Sequence, residues 1–282
     1  MIMEGMYRIG DVNILVRTPF DYSPCESFAQ YKTDGGRPDI TYNFIYGQPE
    51  KITDTPVFEN PLMKIYNIGG RVVRDFYIPY DTELCARIIR RDKENFDCVC
   101  RPEKAFYFAE TWNLFNAVGL EWTLIEHGRV ILHSSHIKVE EKAVLFSAPS
   151  GTGKSTQASL WEKYENAEVI NGDRTAIAAG EKGALAYGMP IAGSSAIYKN
   201  VTSPLGAVVV IRQAKENRCE RLTGREAFKW LLSETTVSGA VPGFFERAAD
   251  VLMQVAGRVP VYMLHCTPDR GAVECLKEKL EF

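Results

Sequence analysis

Residues Ala143–Thr156 read AVLFSAPSGTGKST, and this stretch decides the predicted fold of the C-terminal half of the chain. Ala143–Phe146 has the continuous apolar character of a buried strand. Gly151 and Gly153 then permit a tight turn, and Lys154 is followed by two hydroxyl residues. This order indicates a phosphate-binding loop, because the free amides of the turn and the positive end of the next helix point at one spot.

The loop matches the pattern G-x-x-x-x-G-K-[ST] except at its first position, where Ala148 replaces glycine. Alanine adopts most loop conformations except those with positive φ, so the departure is small. In this pattern the Lys154 ammonium reaches the β- and γ-phosphates of a nucleotide, and the Ser155 hydroxyl coordinates Mg²⁺. The alternative is a glycine-rich strand-to-helix turn that binds no ligand.

Length and composition predict one or two domains with a large core. The chain has 282 residues, of which 45% are apolar. Because the phosphate-binding loop lies past the midpoint, we expect a mostly β N-terminal domain over residues 1–104, with a substrate-binding or regulatory role. The nucleotide-binding domain is then expected over residues 105–282.

Charge and hydropathy argue against several classes of partner. The net charge is −3, with 33 basic and 36 acidic residues intermixed, which provides no basic field for nucleic acid. The densest basic patch, Arg87–Arg91 (RIIRR), is expected on a solvated helix or strand edge. No run approaches the roughly 18 apolar residues of a membrane span, and residues 1–10 lack the apolar core of a signal peptide. We therefore expect a cytoplasmic protein that binds neither nucleic acid nor membranes.

The seven cysteines predict reduced thiols rather than a disulfide framework, since their number is odd and their neighbours are apolar. Cys98 and Cys100 lie two residues apart in sequence, which places both on one face of a strand. No second pair of Cys or His stands at ligand spacing nearby, so we expect core thiols rather than a metal site.

The first hundred residues predict a mostly antiparallel β domain. Short aromatic and β-branched runs alternate there with breaks such as Gly35-Gly36 and Gly69-Gly70. The predicted strands are Val12–Val16, Ile40–Tyr46, Ile65–Ile68, Val72–Ile78, Ala86–Ile89 and Cys98–Cys100. We find no catalytic constellation among them.

From Ala105 onward, helices and strands alternate. Ala105–Leu120 has apolar residues at helical spacing and is expected to join the two halves. Val130–Val139 and Ala143–Phe146 are separated only by Glu140-Glu141-Lys142, which is too short for a crossover helix. These two strands should therefore pair as an antiparallel hairpin. The expected fold class is α/β (α+β) with a mixed sheet.

The remaining elements are expected to follow the loop in order. Predicted helices are Lys154–Tyr164, Thr223–Ser233 with a Thr223/Glu226 capping box, Pro242–Ala256, and a closing helix with Thr267 as N-cap and Pro268 at its first position. Predicted strands are Glu168–Asn171, Thr175–Ala178, Ala184–Tyr187, Ala207–Ile211, a short strand near Leu222, and Val261–Cys266. Gly180-Glu181-Lys182-Gly183 is the expected turn of a hairpin, and Gly193-Ser194-Ser195 belongs to a loop that can approach a ligand.

Asp173 is the candidate acid–base residue. It follows the strand Glu168–Asn171, the first after the phosphate-loop helix. An aspartate at the carboxyl end of that strand can hold the Mg²⁺ shell or accept a proton from a substrate. The alternative is an aspartate that only favours a turn.

Three stretches together resemble the HPr kinase/phosphorylase family and its related kinases, which share a nucleotide-binding fold with phosphoenolpyruvate carboxykinase. They are Val130–His136 (VILHSSH), Ala148–Thr156 (APSGTGKST) and Val169–Asp173 (VINGD). In that family a Leu-His or Met-His pair precedes the loop, as Leu132-His133 does here, and Pro260–Lys279 resembles the closing strand and helix. The resemblance covers the C-terminal part of the chain.

The resemblance implies a P-loop kinase domain that uses ATP and Mg²⁺. It implies a Mg²⁺ contact from Ser155 and a polar active-site role for His133. Together with the residues selected above, the expected catalytic residues are Lys154, Asp173 and His133, and the expected metal contacts are Ser155 and Asp173. It also implies nucleotide contacts along the loop, from Ala148, Pro149, Ser150, Gly151, Thr152, Gly153, Lys154, Ser155 and Thr156.

Two departures from the family change the expectation. The family has two aspartates after the strand that follows the loop, and here the first is Gly172. If that first aspartate is the proton acceptor, Asp173 must replace it, or transfer is poor. The Arg-Gly-rich signature through which HPr kinases bind HPr is also absent, so the acceptor is expected to be another molecule.

The leading interpretation is a kinase that transfers the γ-phosphoryl group of ATP to a hydroxyl, a Ser on a peptide or small protein other than HPr. One alternative is a nucleotide-binding regulatory or scaffold protein that lost efficient transfer with Gly172. Another is a small-molecule kinase or a simple ATPase. The oligomeric state is open, and a homo-oligomer is compatible with the sequence.

Overall fold

The computed structural model describes residues 2–181, 183–238 and 241–280. The described chain forms two compact units, of which the first holds residues 2–123 together with 238, 241 and 242. The second holds 124–181, 183–237 and 243–280. In the part of the chain described, no helix is both long enough and apolar enough to cross a membrane.

The first unit contains a nine-stranded sheet in the order β3-β1-β2-β4-β9-β8-β7-β6-β5, and the short helix α1 (Glu26–Ala29) lies between β2 and β3 in the chain. Its strands are β1 (Met3–Ile9), β2 (Val12–Thr18), β3 (Lys32–Thr33), β4 (Ile40–Tyr46), β5 (Phe58–Asn60), β6 (Met63–Ile68), β7 (Arg71–Tyr77), β8 (Leu84–Arg90) and β9 (Asn95–Cys100). Strand β4 pairs in parallel with β2 and β9, and the other neighbouring strands of this sheet pair antiparallel. The sheet is therefore mostly antiparallel, as predicted.

The six strands predicted for this unit are present, and β4 has the predicted bounds. The sequence did not reveal β1, β3 and β5. Strands β3 and β5 have only two and three residues, and each is held by pairing with a neighbour, β1 or β6. So short a strand has too few residues to show a period of two.

The prediction of a solvated edge for the basic patch was wrong for Arg87, which is buried in β8. Its Nε and Nη2 donate to Asp75 Oδ1 and Oδ2 at 2.6 and 2.8 Å. Asp75 lies directly across from it in β7. This two-pronged pairing satisfies a charge that burial would otherwise make very costly.

The predicted helix over residues 105–120 was wrong as a single element. The chain instead forms a 3₁₀ segment (Pro102–Ala109) and two helices, α2 (Thr111–Val118) and α3 (Leu120–Glu126). Glu110 is extended, with φ −113° and ψ 138°, and Gly119 is left-handed, with φ 76°, so each interrupts the helical backbone.

The first unit extends to Thr123 rather than ending at residue 104 as predicted. Phe108 and Phe115 explain the difference, because both are buried against aromatic rings of the N-terminal region. The ring centroids of Phe108 and Phe44 are 5.3 Å apart, and those of Phe115 and Phe28 are 4.7 Å apart. These aromatic contacts attach the 3₁₀ segment, through Phe108, and α2, through Phe115, to the first unit.

The second unit contains a mixed sheet with helices around it. The strands are β10 (Arg129–Val139), β11 (Lys142–Ser147), β12 (Glu168–Asn171), β13 (Arg174–Gly180), β14 (Gly183–Gly188), β15 (Thr202–Gln213), β16 (Arg218–Arg221) and β17 (Val261–Cys266). The helices are α4 (Lys154–Glu165), α5 (Gly224–Glu234), α6 (Phe244–Arg258) and α7 (Arg270–Lys277). The order is β11-β10-β13-β14-β15-β17-β16, with β12 beside β10 and a further pairing of β11 with β15.

The predicted antiparallel hairpin of β10 and β11 is confirmed. The first part of β10 pairs with β13 and its second part with both β11 and β12. Strand β15 is parallel to β11 and β17 and antiparallel to β14. The sheet is therefore mixed, as expected, and the hairpin delivers the end of β11 to the start of α4. The hairpin of β13 and β14 is also formed, although Lys182 of its predicted turn lies outside the described residues.

The core of this unit lies between the sheet and helices α4 and α7. Phe146 and Trp161 are buried there with ring centroids 6.4 Å apart, joined by apolar residues of β15, β17 and α7. The Thr223/Glu226 capping box of α5 is confirmed. The predicted N-cap of α7 was wrong, because Asp269 and not Thr267 caps it, with its side chain accepting from Ala272 N.

Candidate active site

The glycine-rich loop that the sequence predicts to bind phosphate joins β11 to α4. Ala148 is fully buried and has no positive φ, which explains why alanine is accepted in place of glycine. Gly151 (φ 77°) and Gly153 (φ 116°) have left-handed backbones, and a Cβ at either would meet nothing within 4 Å. The glycines are thus required by conformation, and the space above them is open.

The start of α4 is suited to bind an anion. Gly153 is its N-cap and provides no side-chain cap, so the first-turn amides are not used by a capping side chain. Ser155 and Thr156 are exposed in this turn. Lys154 is buried beneath the loop, where its Nζ donates to Ala148 O at 2.7 Å and Pro149 O at 3.4 Å. Burial lowers the pKa of Lys154.

Asn171 positions Asp173, and local sequence patterns do not single out this asparagine as a site residue. The buried Asn171 Oδ1 accepts from Asp173 N at 2.8 Å and Arg174 N at 2.9 Å. Its Nδ2 donates to Met189 O at 2.8 Å and Ile191 O at 2.9 Å. One amide therefore ties the end of β12 to the loop that follows β14. The signal in the sequence was weak, since Asn before Gly at a strand end indicates only a turn.

His133 and Asp173 lie next to each other beside the glycine-rich loop. His133 lies in β10, with its Nε2 3.3 Å from Asp173 Oδ1 and its Nδ1 3.5 Å from Glu234 Oε2. Arg174 Nε is 3.2 Å from Asp173 Oδ2. Burial lowers the pKa of His133, and the positive charges of Lys154 and Arg174 lower it further. The site is a compact group of alternating basic and acidic side chains.

A cleft of about 250 Å³ connects this group with the loop. Its walls include His133, Gly151, Lys154, Ser155, Asp173 and Ser194. The predicted catalytic residues and the exposed part of the loop therefore share one cavity. Gly193, in the loop after β14, has φ 54°, and a Cβ there would lie 2.9 Å from Asp173 Cγ. The small residues of this loop predict that it can approach a ligand. In the structure, the loop lies beside the carboxylate of Asp173.

A second cavity, of about 460 Å³, lies along the loop towards the ends of β15 and β17. Thr152, Thr156 and Gln157 form its wall on the loop side. Ile211, Gln213, Cys266 and Pro268 are among the residues across from them. Local sequence patterns do not place these last four residues at a site, because they come together only through the sheet.

The donor set fits a Mg²⁺ ion that is held mainly by phosphate oxygens and water. Ser155 offers a hydroxyl and Asp173 a carboxylate in the same cleft. Both Asp173 oxygens already lie within 3.3 Å of a basic nitrogen, of His133 or Arg174. No group of three or more His, Cys, Asp or Glu side chains suited to a metal occurs among the described residues. Mg²⁺ in nucleotide sites commonly has one or two carboxylate ligands and keeps several waters.

No protein-family model and no curated protein matches this chain. Among solved structures it is similar to the HPr(Ser) kinase/phosphatase from Coxiella burnetii. The two sequences are 10% identical, the match covers 53% of this chain and 94% of that chain, and the TM-score is 0.30.

Proposed function

We propose that the protein is an ATP-dependent kinase that transfers the γ-phosphoryl group to a hydroxyl. The observation that carries the proposal is the single cleft in which a glycine-rich loop, Lys154 and Asp173 converge. An anion-binding loop alone would fit any nucleotide-binding protein. The carboxylate of Asp173 lines the same cleft, and a hydroxyl nucleophile requires such a group to accept its proton.

The two cavities suggest how the substrates lie. We place the phosphates of ATP over Gly151 and Gly153, with the nucleoside in the second cavity beside Ile211 and Pro268. The γ-phosphate then points into the first cleft, where the acceptor hydroxyl approaches Asp173. The loop between the cavities would keep donor and acceptor on opposite sides of the transferred group.

In the proposed reaction, Asp173 accepts the proton of the acceptor hydroxyl while the hydroxyl oxygen forms a bond to the γ-phosphorus. The bond from that phosphorus to the β,γ-bridging oxygen breaks, and ADP leaves. Lys154 neutralises charge on the phosphates, for which its Nζ must leave the loop carbonyls that it contacts. A Mg²⁺ ion held near Ser155 and Asp173 would neutralise further charge when bound.

The acceptor class rests on the resemblance of the C-terminal part of the chain to HPr-kinase-related proteins. We propose a Ser on a peptide or small protein other than HPr, because the HPr-binding signature is absent from the sequence. The first unit, with its long sheet, is the proposed substrate-binding or regulatory part. Its exposed aromatic side chains, such as Tyr46, Phe106 and Trp112, offer contact surface for such a partner.

Nucleotide binding is tested with Lys154→Ala, because the phosphates would lose the cation beneath the loop. We expect ATP and Mg²⁺ to raise the melting temperature of the parent and to leave that of the variant unchanged. Lys163→Ala is the matched control, since it removes an exposed lysine from the same helix. Equal stabilisation of Lys154→Ala and parent would disprove the nucleotide site.

Transfer is tested with Asp173→Asn, which keeps the shape of the side chain and removes its charge. We expect normal folding, retained ATP binding, and turnover lower by at least about 10²-fold, the effect of losing a general base. Labelled ATP with a peptide library gives the turnover and also identifies the acceptor. A parent that binds ATP and transfers phosphate to no peptide, small molecule or water would favour the scaffold alternative.

A further inference from the structure

We infer that Gln157 selects the base of the nucleotide, because its side-chain amide is placed to bind the 6-amino edge of an adenine in the second cavity. This role deepens the proposed function and rests on it, since it requires the nucleoside to lie in that cavity. Gln157 is in α4, where its N donates to Gly153 O at 2.9 Å. The residue therefore stands one helical turn beyond the loop that is proposed to hold the phosphates.

Glutamine is an unexpected residue at this position. Gln157 lies on the buried face of α4 with Ala158 and Trp161, and it is only 2% exposed. Glutamine is mostly found at protein surfaces, because a buried amide costs free energy unless it is hydrogen-bonded. Leucine or methionine would fill the same space without that cost. Packing alone therefore gives no reason for an amide here, and a residue that is locally unfavourable is expected where a site requires it.

The amide of Gln157 is only partly satisfied. Its Oε1 has no hydrogen-bond partner among the described residues. Its Nε2 donates to Cys266 Sγ at 3.3 Å. Burial raises the pKa of the Cys266 thiol to about 11, so at neutral pH the sulfur belongs to a neutral thiol, which is a weak acceptor. One weak hydrogen bond therefore holds the amide, and turning it towards a ligand costs little.

The cavity beside this amide suits a planar base. Gln157 and Cys266 both belong to the wall of the second cavity, which has a volume of about 460 Å³. The described residues of this wall are uncharged, and they include the apolar Ile211 and Pro268. A mainly apolar cavity with a few polar groups is typical of a small-molecule site, and the polar groups fix the orientation of the ligand.

The hydrogen-bonding groups of the two common purines differ at such an amide. Adenine has its 6-amino donor beside the N7 acceptor, and a glutamine pairs with both through Oε1 and Nε2. Guanine has two acceptors, O6 and N7, on the same edge, so Oε1 would face an acceptor. Guanine can also pair through O6 and N1–H, but its 2-amino group then needs a further acceptor, and no Asp or Glu is among the described residues of the wall. The cavity therefore favours adenine.

The preference is measured on the full chain by calorimetric titration with the Mg²⁺ complexes of ATP, GTP and purine riboside 5′-triphosphate. Purine riboside has the ring of adenosine without the 6-amino group, so it lacks the donor that Oε1 accepts. We expect ATP to bind at least about tenfold more tightly than each of the other two, the discrimination of a bidentate pair. Affinities equal within about twofold, or tighter binding of GTP, would overturn the inference and leave the kinase proposal standing. A parent that binds none of the three would remove the nucleotide site, and with it both proposals.

Gln157→Leu tests whether this amide is the source of the preference, because it keeps the apolar part of the side chain and removes both polar groups. We expect the preference for ATP over purine riboside triphosphate to fall to less than about twofold. Gln157→Met, with an unbranched side chain, is a second variant and should behave alike. Gln254→Leu, at an exposed glutamine of α6, is the matched control and should keep the preference of the parent. Melting without nucleotide shows which variants are folded, and a folded Gln157 variant with the full preference for ATP would overturn the inference.

Discussion

At the residue scale, Gly172 is explained by space rather than by backbone conformation. It does not have a positive φ. A Cβ added there would overlap Oγ and Cβ of Ser195, whose hydroxyl donates to Ala192 O at 2.7 Å. The loop that carries Ser195 therefore fills the volume that an aspartate side chain at position 172 would need.

We expect Gly172→Asp to lower the free energy of unfolding by about 1–3 kcal/mol, the usual cost of overpacking a closed site. The double variant Gly172→Asp with Ser195→Gly should recover most of that loss, because it removes the overlapping atoms. Ser195→Gly alone is the control, and urea unfolding gives the values. A single variant as stable as the parent would show that the loop moves aside freely.

At the scale of elements, the side chain of Asp269 caps the N-terminus of helix α7. Asp269 Oδ1 accepts from Ala272 N at 3.3 Å, and Thr267 Oγ1 donates to Asp269 Oδ2 at 2.6 Å. The helix buries Val273 and Leu276 in the core of the second unit.

Asp269→Ala should lower the free energy of unfolding by about 1 kcal/mol, because the first-turn amide loses its acceptor. Asp269→Asn should cost much less, since asparagine caps helices about as well as aspartate. Urea unfolding of both variants decides the point. Equal losses in the two would mean that the charge, and not the cap, stabilises this helix end.

At the scale of the whole molecule, His136 links stability to pH. It is fully buried in β10, neither ring nitrogen has a hydrogen-bond partner among the described residues, and burial lowers its pKa to about 3. In the unfolded chain its pKa is about 6.5. Between about pH 3 and pH 6.5, His136 is therefore protonated in the unfolded chain and neutral in the folded protein. Stability is therefore complete above about pH 6.5 and falls as the pH drops towards 3.

The slope from one such group approaches about 1.4 kcal/mol per pH unit. We expect the free energy of unfolding to fall less steeply in His136→Leu than in the parent between pH 6 and pH 4.5. Parallel curves for His136→Leu and parent would show that folding does not lower the pKa of His136.

The sequence by itself determined the features that depend on neighbours in the chain. The glycine-rich turn between β11 and α4, the hairpin of β10 and β11, the capping box of α5 and most strands follow from local patterns of apolar residues, glycines and caps. The same local signals failed over residues 105–120, where Glu110 and Gly119 break a regular apolar spacing. They also failed at Thr267, because Asp269 competes for the same helix end.

Tertiary structure alone decided which charged groups meet. Arg87 is buried because Asp75 lies across the sheet, and Glu234 faces His133 because a bridge joins α5 to β10. The reason for Gly172, the overlap with Ser195, likewise arises between segments that are distant in sequence. Strand register and sheet order set these distances. Both result from the burial of the whole apolar surface, which no local stretch encodes.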